Sequence, residues 1–286
     1  MTESESGVPP SPVSGRGRWW ATPARMAAWC AGATLTALVG LLMLVAVALS
    51  VAYPNLPAIS GLADYRPRLP MLVISADGIL LGEFGEERRI YTPIAQIPRV
   101  MQKAVLAIED ARFYRHSGVD YLGIVRAGLA QFNRAKSQGA STITMQVARN
   151  FYLSTEKTFT RKIYEILLAL KIESQLSKDQ ILELYMNQIF LGQRAYGFAA
   201  AADIYFGKPI KELTIAEAAM LAGLPQAPSA YNPIANPQRA TRRQQYIIQR
   251  MYENGYITEE QAEAAHRQPL RYRPQSDSGT HAEYVA

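Results

Sequence analysis

The chain is poor in residues that cross-link or coordinate. It has one cysteine, Cys30, and three histidines among 286 residues. A single thiol cannot close an internal disulfide, and so few soft ligands argue against a structural metal site. Cys30 also lies inside a long apolar run, where a thiol acts as a small hydrophobic group. The excess of one charge is small, a net +6. That suits a phosphate-bearing partner or an anionic membrane surface. It is too weak and dispersed for nucleic acid, and neither zinc-finger spacing nor an aromatic ribonucleoprotein signature is present. No segment repeats. No His or Asp stands at the spacing of a serine triad, so Ser141 is not read as a nucleophile.

Charge is missing altogether from Met26 to Ala63. Ala27 to Tyr53 consists mainly of Ala, Leu, Val, Met and Trp. About 20 apolar residues cross a bilayer as a helix, so residues 26–53 are expected to be a transmembrane anchor. A cleaved signal peptide is the competing reading, but the run is long for one and no small-residue cleavage pattern closes it. Arg16, Arg18 and Arg25 precede the run, and the next charges are Asp64 and Arg66. The positive-inside rule then puts the N-terminus in the cytoplasm and the remainder on the far side. Trp19, Trp20 and Trp29 suit the cytoplasmic interface.

The other segments read in order. Residues 1–25, rich in Ser, Pro, Gly and Arg, form a disordered tail. Residues 54–93 form a proline-punctuated linker and a small hairpin, Met71–Ser75 with Ile79–Phe84 around an Asp77-Gly78 turn. Helical spacing begins at Ile94 and leads through Val100, Ala104, Ala107 and Ile108 into Glu109. Tyr121 to Phe132 is a helix with Asp120 as N-cap. Thr160 to Gln175 is another, expected to bury Ile163, Ile166, Leu167 and Leu170. Capping boxes at Ser177–Gln180, Thr214–Glu217 and Thr258–Gln261 open three more. Gln238 to Asn254 is a basic amphipathic helix. With 49% apolar residues, residues 94–270 can fill one sizeable, mainly α core. Residues 271–286 read as the start of a linker to a further C-terminal domain.

Three clusters carry the chemistry. Glu109-Asp110, with Phe113 and His116, ends an apolar helical run. A carboxylate with an apolar flank tends to a raised pKa, which suits a general acid or base; a helix-end salt bridge is the plainer role. Likewise Phe113 would serve as core and His116 as a hydrogen-bonded structural residue. Gly139 introduces Ser141, Thr142, Thr144 and Gln146, either a polar helix face or a row of donors to a ligand. Arg161, Lys162 and Glu165 follow, with Arg149, Asn150 and Lys157 between. Arg161 and Glu165 share a helix face. Cations beside a carboxylate suit a diphosphate, whose leaving charge they would hold; a solvated face is the default. Ser154-Thr155-Glu156-Lys157 has the Ser-x-x-Lys spacing of penicillin-reactive enzymes, but neither Ser-x-Asn nor Lys-Thr-Gly accompanies it.

These clusters resemble the family 51 peptidoglycan glycosyltransferases, which form the N-terminal part of class A penicillin-binding proteins. The family pattern is Glu-Asp-x-x-Phe-x-x-His-x-Gly, then Gly-x-Ser-Thr-Ile-Thr-x-Gln, then Arg-Lys-x-x-Glu. It stands here at 109–118, 139–146 and 161–165. Ile181–Asn187 and Ala216–Pro225 resemble the next two blocks. The resemblance implies a lysozyme-like, mainly α glycosyltransferase domain with a small membrane-proximal β element after one transmembrane helix. It implies polymerisation of lipid II into β-1,4 glycan strands, with inversion at the donor carbon and release of undecaprenyl diphosphate. Glu109 would be the base and Glu165 would support the donor site. Arg149, Lys157, Arg161 and Lys162 would bind the diphosphate. Ser141, Thr142, Thr144 and Gln146 would line the cleft, with Asp110, Phe113, His116 and Asn150 also at the substrate. A divalent cation, Mg or Mn, at the diphosphate is the one cofactor left open. Lipid II, the growing glycan, the membrane and other cell-wall synthesis proteins are the implied partners. Ala140, Met145 and Tyr164 stand where many members carry Gly, Gln and Lys, so one cation is lost from the third motif. A lysozyme-like hydrolase would share a catalytic Glu without needing the cations. A non-catalytic membrane scaffold would need neither.

Overall fold

The computed structural model describes residues 21–54, 56–62, 65, 71–77, 80–85, 87–123, 141–153 and 159–273. The tail at 1–20, the turn glycine Gly78, most of the helix expected to end at Phe132, Gly139 and Ala140, the Ser154–Lys157 run and the stretch from 274 lie outside the described residues. The chain divides into two units, Met1–Asn55 and Leu56–Ala286.

Among its described residues the first unit has one helix, α1 (Ala21–Ala52). Its stretch Arg25–Leu44 is long and apolar enough to cross a membrane, and none of it is buried within the protein. Trp29 is 81% exposed. Its hydroxyls are satisfied internally: Thr34 and Thr36 donate to the carbonyls of Cys30 and Gly32, four residues back. Lipid offers no hydrogen-bond partners, so this is what an apolar surrounding demands.

The second unit begins with a docked segment. Leu56, Ile59 and Leu62 are buried, so the expected linker contributes to the core. The hairpin follows, β1 (Met71–Ile74) antiparallel to β2 (Leu80–Phe84), with Met71 opposite Phe84. β3 (Arg88–Arg89) pairs in parallel with β4 (Ala195–Tyr196). Helices make up the bulk: α2 (Arg99–Glu109), α3 (Ile143–Tyr152), α4 (Phe159–Glu173) and α5 (Lys178–Gln188). Then come α6 (Phe198–Phe206), α7 (Ile215–Ala222), α8 (Pro237–Glu253) and α9 (Glu259–Arg267). α2 packs on α7 and α8, and α3 packs on α4 and α5. All three expected capping boxes form, each a Ser or Thr hydroxyl answered by Gln or Glu three residues on. Asp120 caps as expected, accepting from the Gly123 N–H at 2.9 Å.

Two elements differ from the sequence expectation. α4 buries Leu167 as expected, and with it Glu165, Leu168, Ala169 and Ile172, which are spaced i, i+3, i+4, i+7; Ile166 is half-buried. Ile163 is 53% and Leu170 36% exposed. Apolar residues surround this helix, and the face that packs includes its carboxylate, which periodicity reads as outward. α6 was not anticipated because its first five residues are all apolar and carry no period. Its N-terminus follows Gly197 at φ +85°, where an added Cβ would lie 2.8 Å from the Asn187 carbonyl oxygen. Phe151 is half-buried and packs edge-on against Tyr65 with centroids 4.7 Å apart.

Candidate active site

Glu109 is the last residue of α2, where Asp110 leaves helical geometry at φ −160° and ψ 77°. The break turns Asp110 inward. Its Oδ2 accepts the Ile143 N–H at the start of α3 at 3.1 Å, and His116 Nε2 lies 3.0 Å from each of its oxygens. A carboxylate at a helix N-terminus satisfies an orphan donor and meets the positive end of the dipole. Thr142 caps the same terminus. Its hydroxyl accepts from Met145 N–H at 3.2 Å and donates to the Gly118 carbonyl at 2.6 Å. These two ties fix α3 against the end of α2.

With α3 so placed, Gln146 Nε2 donates to Glu109 Oε2 at 2.7 Å. Burial pushes the Glu109 carboxyl above its ordinary value. The Gln146 hydrogen bond and the guanidinium groups of Arg243 and Arg149 pull it back, and the neighbouring Asp110 charge adds to the rise. A half-buried, partly desolvated carboxylate held by one donor, with cations nearby, is suited to accept a proton.

The second carboxylate is Glu165 on α4, 1% exposed. Lys162 Nζ lies 2.8 Å from its Oε2 and 2.9 Å from Ser141 Oγ, joining the second and third sequence clusters. Arg161 Nε lies 3.2 Å from Oε1 as an ion pair. The Lys162 side chain is 43% exposed, so its charge remains available to a ligand.

The expected site residues thus fall into groups. Glu109, Gln146 and Arg149 form one, and Ser141, Arg161, Lys162 and Glu165 another. Asp110, His116 and Thr142 hold the helix junction. Thr144 is buried and donates to Glu173 Oε1 at 2.6 Å, which Lys178 shares at 2.6 Å. Phe113 is buried beneath the Lys178 ammonium, 4.3 Å from its ring centroid. Asn150 is exposed. Lys157 lies outside the described residues. Sequence reasoning missed Arg243 and Tyr185. The Tyr185 hydroxyl is buried with no hydrogen-bond partner in the described structure, and burial and the charge of Glu109 push its pKa well above the ordinary value. Arg243 left a usable signal: a cation three and four residues from the buried Ala240 and Ile247. A cavity of about 720 Å³ bounded by Thr92, Asp203, Lys208 and Ile210 shares none of these residues.

Among the described residues no three His, Cys, Asp or Glu side chains gather as ligands, and Glu165 already faces two cations.

A mainly helical unit that holds a half-buried carboxylate, Glu109, and a buried one, Glu165, beside two cations follows an apolar helix long enough to cross a membrane. The chain belongs to the transglycosylase family, whose model matches residues 77–252. It is 58% identical over 230 residues to penicillin-binding protein 1A of Neisseria gonorrhoeae, covering 80% of this chain and 29% of that protein. The Neisseria flavescens protein of that name is 56% identical over the same length. A Cupriavidus necator protein provisionally named a transglycosylase is 53% identical over 237 residues, covering 83% of this chain and 94% of the relative. The crystal structure of penicillin-binding protein 1A from Haemophilus influenzae is similar at 31% identity and a TM-score of 0.46, over 77% of this chain and 23% of that one. The chain therefore spans under a third of the Neisseria relatives' length. The relatives and the apolar helix α1 together indicate a membrane-anchored protein.

Proposed function

We propose that this chain is a peptidoglycan glycosyltransferase that polymerises lipid II into β-1,4 glycan strands. Glu109 takes the proton of the acceptor sugar hydroxyl as that oxygen attacks the donor anomeric carbon. The bond from that carbon to the diphosphate breaks with inversion, and undecaprenyl diphosphate leaves with its charge held by Arg149, Arg161 and Lys162. Lys157 belongs with them by its motif position. Glu165 orders Arg161 and Lys162 toward that charge. An Mg or Mn ion would take its ligands from the diphosphate and water. The N-terminus lies in the cytoplasm and the catalytic unit on the other side, where other cell-wall synthesis proteins would meet it.

The observation that carries this reading is the pair of carboxylates in unlike settings. Glu109 is desolvated with one neutral donor; Glu165 faces two cations, Arg161 and Lys162. Unlike settings give unlike roles, and a base plus a site for a departing anion is what transfer from a diphosphate needs. The test is polymerisation of labelled lipid II in detergent by the wild type and Glu109→Gln. Glycan ladders from the wild type alone, with both proteins folded, are the expected result. Cleavage of finished peptidoglycan without polymerisation would replace the reading with a hydrolase.

A further inference from the structure

The turn between α4 and α5 carries two charges, each at the unfavourable end of its helix. Glu173 is the last residue of α4 and Lys178 the first of α5. A carboxylate at a helix C-terminus meets the negative end of the dipole, and a cation at an N-terminus meets the positive end. Neither charge serves its own helix, and their contacts lie with other elements. Lys178 Nζ is 2.6 Å from Glu173 Oε1, and the two side chains are 20% and 8% exposed. The same ammonium lies over the Phe113 ring, in the loop that follows α2. Glu173 Oε1 also accepts the Thr144 hydroxyl at 2.6 Å. Thr144 is fully buried in the first turn of α3. The loop after α2 meets Glu173 again at Gly118, φ +82°, where a Cβ would lie 3.3 Å from Glu173 Cγ. One carboxylate oxygen thus ties the start of α3 to the junction of α4 and α5.

What this tie controls is set by α3. Thr144 precedes Gln146 by two residues, and the Gln146 amide holds Glu109 Oε2 at 2.7 Å. Two residues advance an α-helix by about 200°, so Thr144 and Gln146 stand on nearly opposite sides of α3. Asp110 grips α3 at the Ile143 N–H, and the cap Thr142 is bonded to the Gly118 carbonyl. Both ties hold the tip of the helix, and a helix held at its tip can still turn about its axis. The Thr144 bond is off the axis and stops that turn. We propose that Glu173, with Lys178 as its counter-ion, is a positioning residue for glycosyl transfer: through Thr144 it fixes the rotation of α3 and so aims Gln146 at Glu109. The assignment rests on Glu109 acting as the base. Without the tie, α3 turns, Gln146 leaves Oε2 and the base loses its orientation. Arg161 and Lys162 lie about three turns back along α4 from Glu173, so binding of the diphosphate is largely kept.

The test measures kcat and KM for lipid II polymerisation by the full chain, in wild type, Glu173→Leu, Thr144→Val, their double variant and Glu173→Gln. Each of the first two changes should lower kcat about tenfold, part of the cost of a misplaced catalytic group, with KM nearly unchanged. The double variant should be no slower than the slower single, because both changes remove one bond. Glu173→Gln keeps an acceptor for Thr144 and should recover most of the lost rate. Losses that multiply in the double variant, or wild-type kcat in both singles, overturn the proposal. A second readout needs no turnover: the Gln146 side-chain amide is followed by NMR in protein labelled with 15N-glutamine, its signal identified by loss in Gln146→Leu. It should shift in Glu173→Leu and Thr144→Val and return toward the wild-type position in Glu173→Gln. Should Glu173→Leu fail to fold, Thr144→Val reads the same bond by both measures. An unmoved amide with a lowered Tm marks a packing role and overturns the proposal. If the wild type makes no polymer but the amide still moves, the transferase reading fails and the link from Glu173 to Gln146 stands.

Discussion

Gln146 Nε2 stands 2.7 Å from Glu109 Oε2, a hydrogen bond from the middle of α3 to the last residue of α2. It fixes one carboxylate oxygen and favours the ionised form. Gln146→Leu removes the donor with little change of volume. Its kcat/KM should fall about a hundredfold, the usual scale for a misplaced catalytic group, with the acid limb displaced to higher pH. Gln146→Glu should be worse at neutral pH, because a second carboxylate repels the first. Steady-state kinetics across pH would show this, and a variant with wild-type kinetics would remove Gln146 from the site.

Burial makes Glu109 a liability to folding. Its pKa is raised in the folded state, so its neutral form is harmless below the unfolded value. Stability is lost as pH rises toward the folded value, where the charge must be held out of water. Glu109→Gln should therefore raise Tm at neutral pH, by about 2–4 °C for each kcal/mol relieved. The gain should vanish as pH falls below about 4. Calorimetry at the two pH values decides it; equal Tm values for both proteins at neutral pH would contradict the burial of the charged form.

Asp110 serves the junction of two helices rather than one contact. Replacing it by Ala frees the Ile143 N–H and leaves His116 Nε2 without its partner. Loss of a cap and of a buried polar pair together should cost about 2–4 kcal/mol. Asp110→Asn keeps an acceptor and should cost less. Chemical denaturation would rank the two, and equal losses would mean that the charge, not the acceptor, matters.

Lys162 couples Ser141 to Glu165. Lys162→Met leaves Glu165 with Arg161 alone. An uncompensated buried carboxylate is costly, and the departing diphosphate loses one cation. The expected result is a kcat loss of about tenfold to a thousandfold, with a smaller change in KM, partly restored by Arg. A change confined to KM would mean that Lys162 only binds the ground state.

α4 tests where its buried face lies. Leu168→Ala should cost about 2–5 kcal/mol, as core truncations do. Ile163→Ser, at an exposed position, should change stability by less than about 0.5 kcal/mol. The reverse order would restore the face that periodicity suggests.

What the sequence disclosed and withheld follows from locality. The capping boxes at Ser177, Thr214 and Thr258 use partners three residues apart, so they could be read directly. The pairing of β1 with β2 is equally local. The buried face of α4 depends on what α3 presents to it, and a buried Glu165 becomes reasonable only once Lys162 and Arg161 are seen beside it. Site residues inside short motifs were visible. Arg243 lies more than a hundred residues from Glu109, and only the packing of α8 on α2 relates them. Thr142 and Thr144 looked like a row of donors, yet the fold directs both hydroxyls inward.

The docked segment at the start of the second unit has a mechanical meaning. Lys171, in the last turn of α4, holds the carbonyls of Leu56 and Pro57 at 3.3 and 3.1 Å. Tyr152, at the end of α3, reaches the carbonyl of Ala58 at 3.4 Å. Tension arriving along the backbone from α1 would enter the fold at these points. The load path thus runs first into the two helices that carry Gln146, Arg149, Lys162 and Glu165.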